Sequence, residues 1–330
     1  MQGLPFSIER VTPKSLLAEH QPHAFSLYLK KLGLWDEKWP FASLEAEGLL
    51  TPITVKKSRE KPGGFEILDG FKRVSWAASR DLPFISCTCL DMDIPLEKSW
   101  LVVLSAQKAA LDSPALKAAF LGFLKKAGVP RETTVERFMP LLGLGPSINL
   151  LEKYLKIAML PDAVLAFCHR KGFSAKRCLN LSHHRRGLLN RFFSYSSSLT
   201  LTASLAEELL DNINDILRRD AISPEDLFSL PEISDVLEEG TDTRARTDRF
   251  RRAVRRLRFP VLTGIERQME GAGKKFFAGK KFSVTWDKSL ENRVLNITAS
   301  VKSPEEFVRL VRDMEDETSL EGIKALLSYL

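Results

Sequence analysis

Between residues 52 and 90 the chain changes its hydrophobic period twice, and the first change falls on one glycine. Pro52-Ile53-Thr54-Val55-Lys56 alternates apolar and polar side chains, as a half-buried strand does. Pro62-Gly63-Gly64 is a turn, and Phe65-Glu66-Ile67-Leu68 is the returning strand. Asp69-Gly70 breaks that strand, and Phe71 to Arg80 continues as a helix in which Ala77 and Ala78 permit close packing. Pro83 to Leu90 forms a further strand, and upstream Leu44 to Leu50 is a helix end stopped at Gly48. Strand, turn, strand, glycine, helix, strand predicts a small α+β domain over residues 1–100.

The whole chain has 330 residues, enough for two or three domains at roughly 100–200 residues each. Its 44% apolar and 28% charged content is that of globular protein and argues against global disorder. No run approaches the roughly 18 apolar residues of a membrane span, and Met1 to Arg10 lacks the basic-then-apolar pattern of a secretory signal. Four cysteines in a chain this long are no disulfide framework, so a reducing cytoplasm is the expected compartment. The net charge of +7 is unevenly placed: +3 over residues 1–128, +7 over 129–200, −9 over 201–240 and +6 over 241–330. Two basic modules around an acidic one favour a polyanionic partner, with nucleic acid the first candidate.

The stretches Leu44 to Val55 and Gly64-Phe65-Glu66-Ile67-Leu68-Asp69-Gly70-Phe71-Lys72-Arg73 resemble the N-terminal domain of the ParB partition proteins, which has the sulfiredoxin-like fold. In that family a Gly-Glu-Arg-Arg turn cradles nucleotide phosphates. The resemblance therefore implies nucleotide binding at Thr51, Pro52, Gly70, Lys72, Arg73 and Lys108, with CTP and magnesium as the implied cofactor. Gly70 allows close backbone approach, a helix start favours an anion, and Lys72 and Arg73 add charge. Phe71 and Lys72 stand where the family has Glu and Arg, which removes one bidentate donor. The family's Glu-Asn-x-x-Arg motif aligns with Leu104-Ser105-Ala106-Gln107-Lys108, which has neither carboxylate nor amide at those places. No catalytic residue and no metal ligand are assigned, and CTP hydrolysis is not expected. Sulfiredoxins carry a catalytic cysteine at the equivalent turn, where this chain has none; Cys87 and Cys89 share one face of an apolar strand as inert thiols.

Residues 101–200 read as helical. Ser113-Pro114 caps a helix whose apolar face is Leu116, Ala119, Phe120, Phe123 and Leu124, closed by Gly128. A second helix starts at Glu132 or Thr133, with Pro140 bending it or ending it early. Gly143 to Ser147 is a tight turn, and a third helix runs from Ser147 to about Met159, stopped by Pro161. This is the helix-turn-helix pattern. The leucine-rich run ending in Leu160-Pro161, and the next helix start capped by Ser174, again resemble the ParB family, although the spacing from Gly143 is about one residue shorter. On the recognition helix Ser147, Asn149, Glu152, Lys153 and Lys156 should be exposed. DNA contacts are assigned to Ser147, Asn149, Lys153, Lys156, Arg170, Lys171, Lys176, Arg177, Arg185 and Arg186, with asparagine suited to adenine and the cations to phosphate. Without arginine on the helix itself, guanine readout is poor. Cys168, His169, Cys178, His183 and His184 match no zinc-finger spacing.

Ser194 to Ser204 reads as a linker, and Ser204-Leu205-Ala206-Glu207 as a capping box opening a helix to about Arg219. A short helix follows from Ser223-Pro224, and Leu237 to Gly240 ends the acidic segment. Thr243 to Arg258 carries eight arginines around Phe250, Val254 and Leu257; some pair with the acidic segment and others are placed to hold DNA. Phe282, Val284 and Trp286 alternate along one strand and Leu295, Ile297, Ala299 and Val301 along another, joined by Asp287 to Asn292. Ser303-Pro304-Glu305-Glu306 opens a last helix with Phe307, Leu310, Val311 and Met314 on one face. Helix, hairpin, helix resembles the ParB dimerisation domain, in which Val284, Trp286, Leu295, Ile297, Phe307 and Leu310 would pair two copies, and Lys274, Lys275, Lys280 and Lys281 would meet DNA nonspecifically. A two-stranded hairpin is marginal alone, which also favours a homodimer.

The expected fold is multidomain α+β: a ParB/sulfiredoxin-like α+β domain (1–100), an all-α helix-turn-helix centre (101–200), an acidic helical spacer (201–240), and a small α-β-β-α domain of basic helix plus hairpin (241–330). The expected function is double-stranded DNA binding in plasmid or chromosome partition or related regulation, clamped by a nucleotide, in a nucleoid-associated cytoplasmic homodimer served by a partition ATPase. Two other classes compete. A metal-dependent nuclease or phosphotransferase would need a carboxylate pair beside Gly70, such as Asp69 with Glu66; a protein-binding adaptor would show no affinity for DNA.

Overall fold

The computed structural model describes residues 5–18, 21, 23, 25–34, 38–59, 61–238, 240, 242–288 and 290–330, with the backbone alone at 38–41. Residues 1–4 of the Met1–Arg10 stretch, Glu239 before Gly240 and Ser289 in the Asp287–Asn292 loop lie outside the described residues. The protein is α+β, and its described residues form many helices and two sheets. It divides into two compact units, one of Met1–Ser197 with Leu201–Glu207 and the other of Ser198–Thr200 with Glu208–Leu330. Among the described residues no helix is long and apolar enough to cross a membrane.

The first unit begins with β1 (Phe6–Val11), α1 (Pro13–Ala18), α2 (Phe25–Lys31), α3 (Lys38–Glu47), β2 (Ile53–Lys57), β3 (Phe65–Asp69), α4 (Phe71–Ser79), β4 (Ile85–Leu90) and α5 (Leu96–Gln107). The four strands form a mixed sheet in the order β1-β4-β2-β3, with β4 and β2 parallel and the outer pairs antiparallel. Val55 pairs with Ile67 on one side and Cys89 on the other, so one face carries Ile53, Val55, Ile67, Ile85, Cys87 and Cys89 into a core closed by Leu16, Val74 and Ala77. Burial, above all, pushes the thiols of Cys87 and Cys89 up to about 12 and about 11, which keeps them protonated and inert. The free edge of β3 is met by one side chain. The amide N–H of Ile67 donates to Gln21 Oε1 at 2.6 Å, and Gln21 Nε2 donates to the Phe65 carbonyl at 3.4 Å.

The half-buried strand expected at β2 is buried on both faces. Lys56 is 8% exposed and sits opposite Glu66, whose carboxylate lies 3.4 Å from Lys56 Nζ and 2.9 Å from His23 Nδ1. The His23 ring in turn lies against Trp100 of α5, with centroids 5.1 Å apart. Burial pushes the Glu66 carboxyl up, but His23 and Lys56 more than offset this and hold it below the usual range. Alternation in β2 could not reveal this second buried face, because the polar side chain there is neutralised by residues from other elements.

Helices α6 (Pro114–Lys126), α7 (Arg131–Thr133), α8 (Met139–Leu141), α9 (Ile148–Ala158), α10 (Asp162–Arg170), α11 (Ala175–Leu181) and α12 (Arg186–Ser194) complete this unit. An aromatic cluster of Phe25, Trp100, Phe120 and Phe123, with edge-on centroids 5.3–5.8 Å apart, gives the sheet region and these helices a shared core. Ser113 caps α6 by accepting from the Leu116 N–H at 3.3 Å. Between α7 and α8 residues 134–138 form a π turn, in which the Met139 N–H reaches back to the Thr134 carbonyl. The wider turn accommodates Pro140, which has no N–H to give, and the helix stops at Leu141.

In the second unit α13 (Ala203–Arg219), within which the boundary between the units falls, precedes α14 (Pro224–Phe228), α15 (Pro231–Glu238), α16 (Thr243–Arg258) and α17 (Pro260–Phe277). The cap of α13 is Thr202, whose Oγ1 accepts from the Leu205 N–H at 3.2 Å; the expected capping residue, Ser204, lies inside the helix. The Ser223 capping box on α14 is complete. Phe250, Ala253 and Val254 bury one face of α16, and its arginines reach the acidic residues: Arg251 to Glu208, Arg258 to Asp215 and Arg255 to Glu266. β5 (Phe282–Trp286) and β6 (Leu295–Ala299) pair with Val284 opposite Ile297 and Trp286 opposite Leu295. After α18 (Pro304–Glu315) the α-β-β-α outline gains a further helix, α19 (Glu317–Leu327). At Gly322 of α19 a Cβ would stand 2.6 Å from Phe276 and 2.7 Å from Phe277, so only glycine lets α19 close on α17.

Candidate nucleic-acid interface and nucleotide cavity

Gly143 turns the chain with φ of +70°, a conformation glycine adopts without strain, and Ser147 then caps α9 by accepting from the Leu150 N–H at 3.4 Å. Leu151, Tyr154, Leu155 and Ile157 bury one face of α9. Its opposite face exposes Asn149, Lys153 and Lys156 beside the exposed cap Ser147. Glu152, also expected there, is half-buried and ion-paired with Arg131 at 3.0 Å. With that carboxylate answered, the outer face of α9 is polar and positive.

The flanking cations divide. Arg170, Lys171, Lys176 and Arg185 are exposed, and Arg186 is exposed while donating to the Met159 carbonyl at the end of α9 at 3.3 Å. Arg177 is engaged within the unit instead. Its guanidinium donates to Ser204 Oγ at 3.1 Å, pairs with Glu207 at 3.2 Å and lies over the Phe173 ring. Lys156, Met159, Pro161, His183, His184 and Arg186 also line a surface cavity of about 390 Å³, which the sequence did not suggest. Cys168 and Cys178 are buried, and the hydrogen bond that the Cys168 thiol donates to Cys178, followed by burial, holds the Cys168 thiol far above the ordinary range. His169 shares a hydrogen bond with Ser113 Oγ at 2.9 Å. Among the described residues no three His, Cys, Asp or Glu side chains gather to hold a metal.

The turn at Gly70 opens on a larger cavity of about 620 Å³. Gly70 has φ of +94°, and a Cβ there would lie 2.8 Å from Ile53 and 3.0 Å from Arg73 Nη2. Thr51, Gly70, Lys72 and Arg73 line the cavity; Pro52 and Lys108 do not, although Gln107 and Ala109 on either side of Lys108 do. Arg73 is held on both ends of its guanidinium. Nη1 donates to the carbonyls of Thr51 at 2.8 Å and Pro52 at 3.1 Å and to the Thr51 hydroxyl, and Nη2 pairs with Asp69 at 2.9 Å. Glu47 adds a second carboxylate to the lining, and Leu29, Leu34, Leu44, Leu50 and Phe71 an apolar wall. The volume suits a nucleotide. Among the described residues magnesium triphosphate does not fit, because two lining carboxylates balance two cations and the carboxylate nearest the turn is already bound by Arg73. Asp69 lines the cavity and Glu66 does not, so the Asp69–Glu66 pair considered for a nuclease is not brought together there.

The residues assigned to dimerisation also separate. Ile297 and Phe307 are exposed, Val284, Trp286 and Leu295 half-buried, and Leu310 is buried within its own unit. The Trp286 ring stands over Gly273 of α17.

Solved structures similar to this chain include two of a partitioning protein. The C-terminally truncated chromosome-partitioning protein ParB from Caulobacter crescentus, complexed to the centromeric parS site, is 15% identical with a TM-score of 0.29, over 53% of this chain and 88% of that one. The same truncated protein complexed with CTP-gamma-S is 16% identical with a TM-score of 0.21, over 55% of this chain and 94% of that one. A likeness of that size lends no weight to a function, which rests on the residues of this chain. No family model matches the chain, and no curated protein matches it significantly.

Proposed function

We propose that this chain binds double-stranded DNA through the outer face of α9 and the cations beside it, as a ParB-like protein of plasmid or chromosome partition. One observation carries the reading: Asn149, Lys153 and Lys156 emerge together from a capped helix whose other face is buried, among exposed Arg170, Lys171, Lys176, Arg185 and Arg186. The helix α7–α8, the Gly143 turn and α9 form the helix-turn-helix of this reading, with lysines on phosphate and Asn149 on a base edge. Self-association through the exposed Ile297, Val301, Phe307 and Val308 would present two such helices to an inverted repeat. A nucleotide in the Gly70 cavity would draw paired N-terminal regions into a clamp; the cavity's size and the close approach at Gly70 support that part. A partition ATPase partner and a place on the nucleoid belong to the same proposal.

The test is fluorescence anisotropy of labelled duplexes across a salt series, together with selection of an inverted-repeat site from random DNA. Seven exposed cations at the site predict affinity that falls steeply with salt, with a slope near −0.9 for each phosphate neutralised. Affinity that does not weaken as salt rises would overturn the reading.

A further inference from the structure

The surface cavity of about 390 Å³ beside α9 has a basic rim and an apolar floor. Lys156, from the last turn of α9, and Arg186, the first residue of α12, stand on the rim, and among the described residues no carboxylate lines it. Arg186 spends one N–H on the Met159 carbonyl at 3.3 Å. A guanidinium has five such donors, so that bond fixes the fork at the rim without exhausting it. His183 is exposed on the same rim, and an imidazole keeps at least one N–H in either protonation state. Ser182 gives its hydroxyl proton to the Leu179 carbonyl at 2.6 Å, and His184 has an interaction of its own. The donors for a ligand are therefore those of Lys156, Arg186 and His183.

The floor is of another kind. Leu160, Pro161 and Leu189 are buried there, and Met159, which also lines the cavity, is 71% exposed. A thioether makes favourable contacts with aromatic rings and adapts its shape to them. Two fixed cations balance the charge of about −1.5 to −2 that a phosphomonoester carries at neutral pH. A duplex backbone fits less well, because it carries one charge per phosphate and its convex, polar surface would leave the apolar floor unfilled. The volume is that of a small-molecule site.

We infer that this cavity binds a small phosphomonoester whose body is a flat apolar ring, and that the bound ligand competes with DNA for Lys156 and Arg186. The binding stands on the cavity's own residues; the competition rests on the proposed function, which puts both cations on DNA.

Calorimetric titration of the full chain with phenyl phosphate, inorganic phosphate and phenol tests it. Phenyl phosphate should bind at least about tenfold more tightly than either of the others, since each of those offers only half of the ligand. Met159→Ala and Lys156→Gln, both at exposed positions, should each weaken phenyl phosphate binding by about fivefold or more, with the melting temperature unchanged. Met159→Ala should leave duplex affinity within about twofold. At matched ionic strength, saturating phenyl phosphate should weaken duplex binding at least about tenfold and make its salt slope shallower by about 2. No binding of phenyl phosphate, or inorganic phosphate bound as tightly, would overturn the inference. So would phenyl phosphate binding that neither substitution changes, because the ligand would then sit elsewhere. Phenyl phosphate that binds at the cavity and leaves duplex affinity untouched would overturn the competition. Absence of salt-dependent duplex binding would sink the proposed function, whereas phenyl phosphate binding lost in Met159→Ala would still uphold the cavity.

Discussion

Helices α9 and α16 both carry cations, and they put them to opposite uses. On α16 Arg251 makes two bonds of 2.8 Å to Glu208, Arg258 meets Asp215 at 2.9 Å, Arg255 meets Glu266 at 2.9 Å, and Arg246 donates to the Ser198 carbonyl at 3.1 Å. At least four of its eight arginines therefore fasten elements of the second unit to one another. On α9 the one acidic residue, Glu152, is answered by Arg131 from the neighbouring helix, and Lys153 and Lys156 project from the exposed face. Arginine, with its planar fork, suits the fixed internal pairs; lysine, with a flexible stem, suits a mobile phosphate. Net charge along the sequence describes neither use. What decides is whether a carboxylate from another element arrives within reach.

The largest effect that sharpens this contrast should come from the buried face of α16. Phe250→Ala should cost the second unit about 3–5 kcal/mol, read by urea unfolding, with duplex affinity unchanged wherever the chain is folded. Next in size, the double substitution Lys153→Glu and Lys156→Glu should weaken duplex binding by about a hundredfold, equivalent to about 2.7 kcal/mol. It should also make the salt slope shallower by about 2, as two phosphate contacts would require. Arg251→Ala or Arg258→Ala should cost at most about 1 kcal/mol each, because both pairs are substantially exposed, and neither should alter duplex affinity. If these arginines proved as important for DNA as the lysines of α9, the contrast would collapse.

The smallest effect concerns acid. The hydrogen bond from Trp76 Nε1 at 3.0 Å, and then Arg80, hold the Glu45 carboxyl below its usual range. A depressed carboxyl stabilises the fold above its unfolded value of about 4.3, and that contribution disappears as pH falls through the folded value. Glu45→Gln should accordingly flatten the acid limb of melting temperature against pH in the first unit, and leave the limb near neutrality unchanged.

Features set by neighbours in sequence were legible in advance. Ser113, Ser147, Ser174, Ser223 and Ser303 each cap the helix they precede, because the hydroxyl needs only a backbone N–H three residues on. The alternation of apolar residues along β5 and β6 was legible for the same reason. Features set by distant partners were not. β1 escaped notice because Phe6 and Ile8 point to solvent and only Val11 is buried, so its pattern marks no inward face. The engagement of Arg177 depends on Glu207, thirty residues away, and that of Arg73 on the carbonyls of Thr51 and Pro52. At the Gly70 turn the sequence located the cavity but not its charge balance, since Glu47 joins it from α3.

The amide of Gln21, set against the edge of β3, has a bearing on how this protein meets other copies of itself. By occupying the Ile67 N–H and the Phe65 carbonyl, it leaves a passing strand no continuous row of groups to pair with there. The opposite margin of the sheet is β1, with Phe6 and Ile8 exposed. Among the described residues the sheet is thus guarded by a side chain at β3 and not at β1, so in a crowded or partly unfolded population strand-by-strand accretion should start at β1.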